Sequence, residues 1–343
     1  MRVFYAADTS LHAPEFFLLR GRPTLNEERA ERAERLLAGI ARLGLETEEP
    51  AEAGRMPVAR VHSPRFLDFL ETAWCQWQKL PGAGAEVLGN VQPRRAEATY
   101  PTGIVGRAGW HMGDLACPIG QYTYRAAMRA ADSALAAARA AVNGGRVAYA
   151  LARPPGHHTS REVAAGHCIL NNAAIAAADL VALGARPAIL DIDVHHGNGT
   201  QAIFYDRADV LMVSVHTDPG SFYPWFVGHA HEAGIGAGEG ANVNLPLPMG
   251  ADDEAWLGAI ETALASISRF GADVLVLSLG LDVHESDPLG GMAVTTAGIR
   301  RAGARLGALK IPVAIIQEGG YLSAALSDNI AAFFEGFLDR GGA

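Results

Sequence analysis

Short runs of aliphatic and β-branched residues recur along the chain, separated by longer alanine-rich stretches. Five runs are typical of buried strands, at residues 146–151, 187–192, 209–215, 273–279 and 311–317. Four stretches have the length and composition of helices, at residues 122–142, 171–183, 252–270 and 295–308. Strands that alternate with helices in this way predict an α/β fold with a central parallel sheet flanked by helices.

Polar residues are concentrated directly after the predicted strands. In parallel sheets ligands bind beyond the carboxyl ends of the strands, so these positions are the first candidates for a site. The residues there are His157 and His158, then Asp191, Asp193 and His195, then Asp282, and finally Glu318 and Tyr321. We therefore expect several strand ends to contribute to one site.

Asp193 and His195 form the centre of a predicted metal site. Residues two apart in an extended chain point to the same side, so both can bind one ion. Asp282 supplies a third ligand, and the open coordination positions would admit water and a substrate carbonyl. Zinc suits this set, and Fe²⁺ or Co²⁺ would also be accepted. The alternative, a polar pair at a helix start, is disfavoured by the second histidine-rich strand end, expected one βαβ unit away.

The remaining polar residues match what the hydrolysis of an amide requires. A neutral His158 could take a proton from water and return it to the leaving amine, with His157 stabilising charge beside it. Asp191 and Asn198 flank the ligand segment, so each can orient one imidazole and separate the two pKa values. The Tyr321 hydroxyl could donate to the oxyanion, although a core tyrosine after a turn is an equally good interpretation of its position.

Composition and charge narrow the class of protein. The 343 residues are 49% hydrophobic and 19% charged, which predicts a globular core, and we expect one domain over residues 1–343. The formal charge of −9 argues against nucleic acid and suits a cationic substrate, although acidity also favours solubility. Three scattered cysteines, no secretory leader and no run long enough to span a membrane predict a cytoplasmic protein.

Residues 74–124 differ from the rest of the chain. They are interrupted by glycine and proline, rich in tryptophan and tyrosine, and weakly periodic. A long irregular insertion is usually functional, as a lid or an interface. The alternative is that the aromatic side chains form a satellite of the core.

Four motifs in order resemble those of the histone deacetylase superfamily. They are Arg-Pro-Pro-Gly-His-His at 153–158, Asp-Ile-Asp-Val-His-His-Gly-Asn-Gly-Thr-Gln at 191–201, Ser-Leu-Gly-Leu-Asp at 278–282 and Glu-Gly-Gly-Tyr at 318–321. The chain is most similar to the bacterial acetylpolyamine amidohydrolases, over nearly its whole length. The resemblance implies the arginase/deacetylase fold, zinc on Asp193, His195 and Asp282, and removal of acetyl groups from acetylputrescine or acetylcadaverine. Acyl-lysine or another small amide is the alternative substrate.

The resemblance implies two further features. A structural K⁺ would be bound by backbone carbonyls around Asp191, Asp193, His195, Ser214 and Val215, with the Asp191 carboxylate. The insertion would build a homodimer that narrows the active-site entrance.

Substrate-binding residues are also implied by the resemblance. His167 and Tyr223 would wall the tunnel beside Gly166, and Asp114 would meet the substrate ammonium group. His167 departs from the aromatic residue of relatives, and we expect it to make that wall polar and titratable.

Two other classes of protein are disfavoured. Arginase-like ureohydrolases bind two manganese ions through extra carboxylates at the positions that Gly197 and Gly280 occupy here, and glycine has no ligand to offer. A sensor without activity would be expected to lack Tyr321 or the histidine pair, and both are present.

Overall fold

The computed structural model describes residues 1–93 and 98–339. Eight strands form one parallel sheet: β1 (Arg2–Phe4), β4 (Thr47–Glu48), β5 (Val147–Ala150), β6 (Pro187–Asp191), β7 (Leu211–Thr217), β8 (Asn242–Leu247), β9 (Val274–Leu279) and β10 (Val313–Gln317). Their order across the sheet is β4-β1-β5-β10-β9-β6-β7-β8. A separate antiparallel hairpin consists of β2 (Phe16–Leu19) and β3 (Arg22–Leu25).

Helices cover both faces of the sheet. They are α1 (Glu31–Ala41), α2 (Arg55–Ala59), α3 (Pro64–Trp77), α4 (Ile104–His111), α5 (Thr123–Ala140), α6 (Asn172–Ala182), α7 (Asn198–Phe204), α8 (Asp253–Phe270), α9 (Thr296–Gly307) and α10 (Leu326–Leu338). Successive residues of β9 enter different cores: Val276 packs with α5 and α6, whereas Leu275 and Leu277 pack with α8, α9 and α10. The central strands are mostly apolar because both of their faces are buried.

The predicted fold class is confirmed, and all five predicted strands and four predicted helices are present with ends shifted by at most two residues. Strands β1, β4 and β8 were not predicted. The first two have only three and two residues, and β8 is an edge strand whose sequence, Asn-Val-Asn-Leu-Pro-Leu, contains polar residues and proline. Edge strands bury less side-chain surface, so their hydrophobic pattern is weak.

The order of the strands corrects one expectation about the site. The strand before His157 and His158 is β5, and β10 and β9 separate it from β6, which precedes Asp193. Strands β5 and β6, which are joined by one βαβ unit in sequence, are therefore not adjacent in the sheet. The chain returns later to place β9 and β10 in the gap, so the ends of all four strands lie along one edge of the sheet.

The insertion at residues 74–124 is more ordered than its sequence suggests. It begins within α3 and contains α4, and residues 94–97 lie outside the described part of the chain. Trp74 and Trp77 pack against the main core, and Trp110 is buried. Tyr122 is exposed. The satellite-core interpretation is therefore correct for these three tryptophans.

The cysteines are free thiols, with Cys75 exposed and Cys117 and Cys168 buried. Within residues 1–93 and 98–339, none of the helices has both the length and the apolar composition that crossing a membrane requires.

Candidate active site

Two carboxylates and one imidazole converge where β6 and β9 end. Neighbouring residues of these strands are in register, which brings Asp193 and His195 beside Asp282. The His195 Nδ1 atom lies 3.2 Å from Asp193 Oδ1 and 3.2 Å from Asp282 Oδ2. One possible ligand atom from each of the three residues lies within 4.8 Å of the others. Both carboxylates are fully buried.

The electrostatics of this cluster suit a cation. Burial and the charge of Asp193 raise the pKa of Asp282 to about 7. Burial also acts to raise the pKa of Asp193, but His157 and His195 outweigh it and hold that pKa below its usual value. Two buried carboxylates in contact are costly unless a positive charge compensates them. The donor set therefore fits a bound divalent ion.

Glycines make room for the cluster. A Cβ atom at Gly319 would overlap the carboxylates of both Asp193 and Asp282, and one at Gly280 would overlap the side chain and backbone of Asp193. A Cβ atom at Gly197 would overlap Asp191 Oδ2. Gly197 and Gly280 are the positions at which a two-metal enzyme needs carboxylates, and neither has space for one. The geometry fits a single ion.

His157 and His158 lie side by side after β5, with ring centroids 4.0 Å apart. The Nδ1 atom of His157 donates to Asp191 Oδ2 over 2.9 Å. The Nδ1 atom of His158 donates to Asn198 Oδ1 over 2.6 Å, and Asn198 is the first residue of α7. Each imidazole is thus oriented by a different kind of acceptor, one charged and one neutral.

These partners separate the pKa values of the two histidines. Burial lowers the pKa of His157, but the carboxylates of Asp193 and Asp191 outweigh it and raise that pKa well above the ordinary value. For His158, burial and the neighbouring histidines lower the pKa well below the ordinary value. A charged and a neutral imidazole side by side can fill different roles in proton transfer.

A cavity of about 610 Å³ opens above this cluster. It is lined by Phe17, Leu18, Leu19, Arg20, Ala116, His158, Gly166, His167, His195, Ser221, Phe222, Tyr223, Trp225, Pro288, Leu289, Gly290 and Tyr321. The exposed lining residues of β2 and the turn after it, and of the loops after β7 and β9, form its mouth. The cavity is largely apolar, and the His195 and His158 rings lie at its base.

Tyr321 lines the cavity and is only 4% exposed. Its backbone amide donates to Asp287 Oδ2 over 2.7 Å, and the Arg32 guanidinium lies 4.7 Å from the centre of its ring. Burial raises the pKa of the Tyr321 hydroxyl well above 10, so the group keeps its proton and can donate it in a hydrogen bond. The position at a cavity wall distinguishes Tyr321 from an ordinary core tyrosine.

Gly166, His167 and Tyr223 all line the cavity. The Tyr223 ring meets the His158 ring edge-on at 4.9 Å, and the neighbouring Phe222 stacks on His195 at 5.0 Å with an angle of 16° between the rings. Phe222 was not singled out from the sequence, although its place next to Tyr223 could have suggested it.

His167 does not titrate as expected. Its ring is buried against Phe17, with centroids 5.2 Å apart, and against Tyr321. Burial, helped by the charge of Arg32, lowers the pKa of His167 to about 3. The expectation of a titratable wall was wrong, because the same burial that places the ring in the wall disfavours its charged form. His167 is uncharged at neutral pH.

Asp114 is not among the residues that line the cavity. Its carboxylate accepts hydrogen bonds from Tyr223 and Gly166, which do line it. The expected ammonium contact therefore remains a prediction.

The residues expected to bind K⁺ lie on adjacent strands. Asp191 on β6 is in register with Ser214 on β7, and Val215 follows. Asp191 Oδ1 accepts a hydrogen bond from the Asp193 amide over 3.1 Å.

Two buried residues, Glu318 and Arg32, connect the backbone segments that carry the histidine pair and Tyr321. The sequence assigned no role to either. Glu318 accepts hydrogen bonds from the backbone amides of Gly156 at 2.7 Å and His157 at 3.1 Å. Arg32 donates to the carbonyls of Glu318 and Gly320, each over 2.7 Å. The place of Glu318 after a strand was visible in the sequence, whereas Arg32 on α1 gave no signal.

A parallel α/β sheet that brings two carboxylates and an imidazole together beside an oriented histidine pair has the architecture of a metal-dependent hydrolase. The comparison with known families makes the class specific, because residues 26–337 match the family model described as "Histone deacetylase domain". The chain belongs to the histone deacetylase family. Members of this family are hydrolytic deacetylases that act on amides and generally depend on a metal.

Similar proteins cover the whole chain. An acetylpolyamine amidohydrolase of Burkholderia pseudomallei is 46% identical over 98% of both chains, and acetylpolyamine amidohydrolase 2 of Pseudomonas aeruginosa is 39% identical over 98% of both. A crystal structure of the acetylpolyamine aminohydrolase from Burkholderia pseudomallei superimposes with a TM-score of 0.96 at 46% identity, covering 100% of each chain.

Proposed function

We propose that this protein is a zinc-dependent amidohydrolase that removes acetyl or other short acyl groups from acetylated polyamines such as acetylputrescine and acetylcadaverine. The observation that carries the proposal is the pair of oppositely tuned histidines beside the Asp193, His195 and Asp282 cluster at the base of the cavity. The names of the similar proteins support the choice of substrate.

Asp193, His195 and Asp282 would hold the ion, and it would supply Lewis-acid polarisation of the amide carbonyl. Zinc is our choice, while Fe²⁺ and Co²⁺ suit the same donors. Elemental analysis of the protein purified without added metal distinguishes them. A preparation with full activity and none of these metals would contradict the proposal.

The side chains at the base divide the proton transfers. Neutral His158 accepts a proton from the attacking water and returns it to the leaving amine. His157, held charged by Asp193 and Asp191, stabilises the negative charge that develops beside it. The Tyr321 hydroxyl donates a hydrogen bond to the amide oxygen as it becomes an oxyanion.

The shape of the cavity supports a linear substrate. Aromatic and aliphatic side chains, among them Phe222, Tyr223 and Leu289, line the path from the mouth to His158 and would contact a methylene chain. The net charge of −9 favours the approach of a cation. An acyl-lysine side chain or another small linear amide would fit the same path, and is the alternative.

A substrate panel tests the proposal directly. Acetylputrescine, acetylcadaverine and acetyl-lysine peptides are compared at equal concentration, and released acetate is measured. We expect the highest kcat/KM with the acetylated diamines. Turnover of the peptides alone would replace the polyamine substrate by acyl-lysine.

We further propose a structural K⁺ held by the Asp191 carboxylate and the backbone carbonyls around Asp191, Asp193, His195, Ser214 and Val215. The register of β6 and β7, which aligns Asp191 with Ser214, supports this. Exchanging K⁺ for a large organic cation should lower the thermal midpoint, and an unchanged midpoint would argue against the site.

The insertion at residues 74–124 leads us to propose a homodimer of one-domain subunits, each spanning residues 1–343, in which the insertion narrows the entrance. Exposed apolar side chains around the mouth, including Leu19, Trp225 and Phe226, support burial against another copy. Light scattering that gives only the monomer mass at micromolar concentration would contradict it. The three free thiols support the further proposal of a cytoplasmic location.

A further inference from the structure

Asp114 contacts the cavity through three residues of its wall. Its Oδ2 atom accepts hydrogen bonds from the Tyr223 hydroxyl over 2.7 Å and from the Gly166 amide over 3.0 Å. Its other oxygen, Oδ1, accepts from the Ala116 amide over 2.9 Å. Tyr223, Gly166 and Ala116 line the cavity and Asp114 does not. Among the lining residues in the described part of the chain there is no carboxylate.

The segment that carries Asp114 is also fastened to the loop before Gly166. The Gly113 amide donates to the Ala164 carbonyl over 2.7 Å, and the Ala164 amide donates to the His111 carbonyl over 2.8 Å. Met112 and Ala164 pair as a short parallel bridge. The insertion and the wall loop are therefore joined by backbone hydrogen bonds, and Asp114 follows directly after this bridge.

The wall has little freedom beside His158. Gly166 has φ of +54°, and a Cβ atom there would overlap the His158 ring and come within 3.0 Å of the Tyr223 hydroxyl. The Tyr223 ring meets His158 edge-on at 4.9 Å. A shift of either residue by a few tenths of an ångström would change the space in which the amide must lie.

We propose that Asp114 is a positioning residue, which holds the Tyr223 ring and the Gly166 backbone and so fixes the width of the cavity beside His158. Because Asp114 belongs to the insertion, the insertion then affects the rate of amide hydrolysis in its own subunit. This inference rests on the proposed function, and it replaces the ammonium contact expected for Asp114. An ammonium ligand would have to face the substrate, whereas the carboxylate oxygens face the wall.

The experiment compares Asp114→Ala, Asp114→Asn, Tyr223→Phe and the Asp114→Ala/Tyr223→Phe double variant on two amides. One is acetylputrescine, and the other is the uncharged N-pentylacetamide of the same length. We expect Asp114→Ala to lower kcat/KM about five- to tenfold for both amides, the effect of one or two ordinary hydrogen bonds. Asp114→Asn keeps an acceptor oxygen and should recover most of the loss. The Asp114→Ala and Tyr223→Phe effects should be less than additive.

A loss confined to acetylputrescine, and as large in Asp114→Asn as in Asp114→Ala, would overturn the inference and identify an ammonium ligand. Hydrogen–deuterium exchange gives a readout that does not depend on turnover. Asp114→Ala should speed exchange in peptides that contain Gly166, while Asp209→Ala, which breaks an exposed pair with Arg207, should not. Unchanged exchange would also overturn it. The wild type could also hydrolyse neither amide while Asp114→Ala still speeds exchange. That result would support the positioning role and contradict the proposed function.

Discussion

Asn198 and His158 are joined by a hydrogen bond of 2.6 Å between Asn198 Oδ1 and His158 Nδ1. An amide oxygen can only accept, so His158 carries its proton on Nδ1 and leaves Nε2 free to take another. Because the acceptor is neutral, it raises the pKa of His158 too little to offset the burial that lowers it. This pair therefore keeps one imidazole ready to act as a base, while the Asp193 and Asp191 carboxylates keep the neighbouring one charged.

Asn198→Asp should move the acid limb of the kcat/KM profile to higher pH. His158 acts as a base only when neutral, and the neutral form is lost as pH falls through its pKa. In the wild type that pKa lies well below 6.5, so we expect the acid limb below pH 6.5. A carboxylate at 198 would favour the charged imidazole and raise the pKa. Profiles of kcat/KM from pH 4 to 9 measure the shift.

Asn198→Ala is the matched control for this prediction. It removes the orienting oxygen without adding charge, so it should lower the plateau of the profile and leave its limb below pH 6.5. Identical limbs in the wild type and Asn198→Asp would mean that His158 is not the group whose protonation stops the reaction.

Tyr321→Phe should lower kcat by about 10²- to 10³-fold, the usual effect of removing one oxyanion donor. The ring, its contact with Arg32 and the metal ligands would stay in place, so metal content and thermal stability should match the wild type. Steady-state kinetics and elemental analysis of the same preparation check both parts. Activity within a few-fold of the wild type would show that the hydroxyl has no role in the oxyanion's stabilisation.

Gly280→Ala should weaken metal binding. The added Cβ would overlap the backbone and carboxylate of Asp193, and the backbone cannot move away as a flexible side chain can. Changes that misplace a ligand typically cost about 10- to 100-fold in metal affinity. Titration of the chelated protein with Zn²⁺ measures the affinity.

Gly258→Ala serves as the control for that substitution. Gly258 is exposed on α8, and a Cβ there has no atom within 4 Å, so the change should raise stability by up to about 1 kcal/mol and leave zinc affinity unchanged. Equal zinc affinity in Gly280→Ala and the wild type would contradict the crowded arrangement of the ligands.

The metal ligands predicted from the sequence share one property: each lies within a few residues after the end of a strand that is buried on both faces. Such strands are visible as apolar runs, so the amino-acid pattern alone predicts that Asp193 after β6 and Asp282 after β9 lie near each other. The hairpin β2–β3, which supplies Phe17 to the cavity, is mostly exposed, and its apolar run, Phe16–Leu19, has only four residues. Arg32 could not be predicted because its role depends on the distant carbonyls that α1 happens to reach.

The prediction for His167 failed for a different reason: the sequence did not show how deeply its side chain is buried. His167 is among the residues that line the cavity. Its degree of burial could not be predicted, because it depends on Phe17 and Tyr321 from distant parts of the chain. Charge state follows from burial, so it could not be predicted from residue type alone.

His167→Phe should leave the pH dependence of kcat/KM unchanged between pH 5 and 9. Burial lowers the pKa of His167 to about 3, so the ring is already uncharged throughout that range and its loss removes no titration. Phenylalanine keeps a planar ring at this position, but φ of +66° suits histidine better, so the substitution adds backbone strain without adding a titrating group. The Asn198→Asp variant, measured alongside, shows that the assay detects a shifted limb. Disappearance of a limb in His167→Phe would mean that His167 carries a proton at working pH, and that the wall is charged after all.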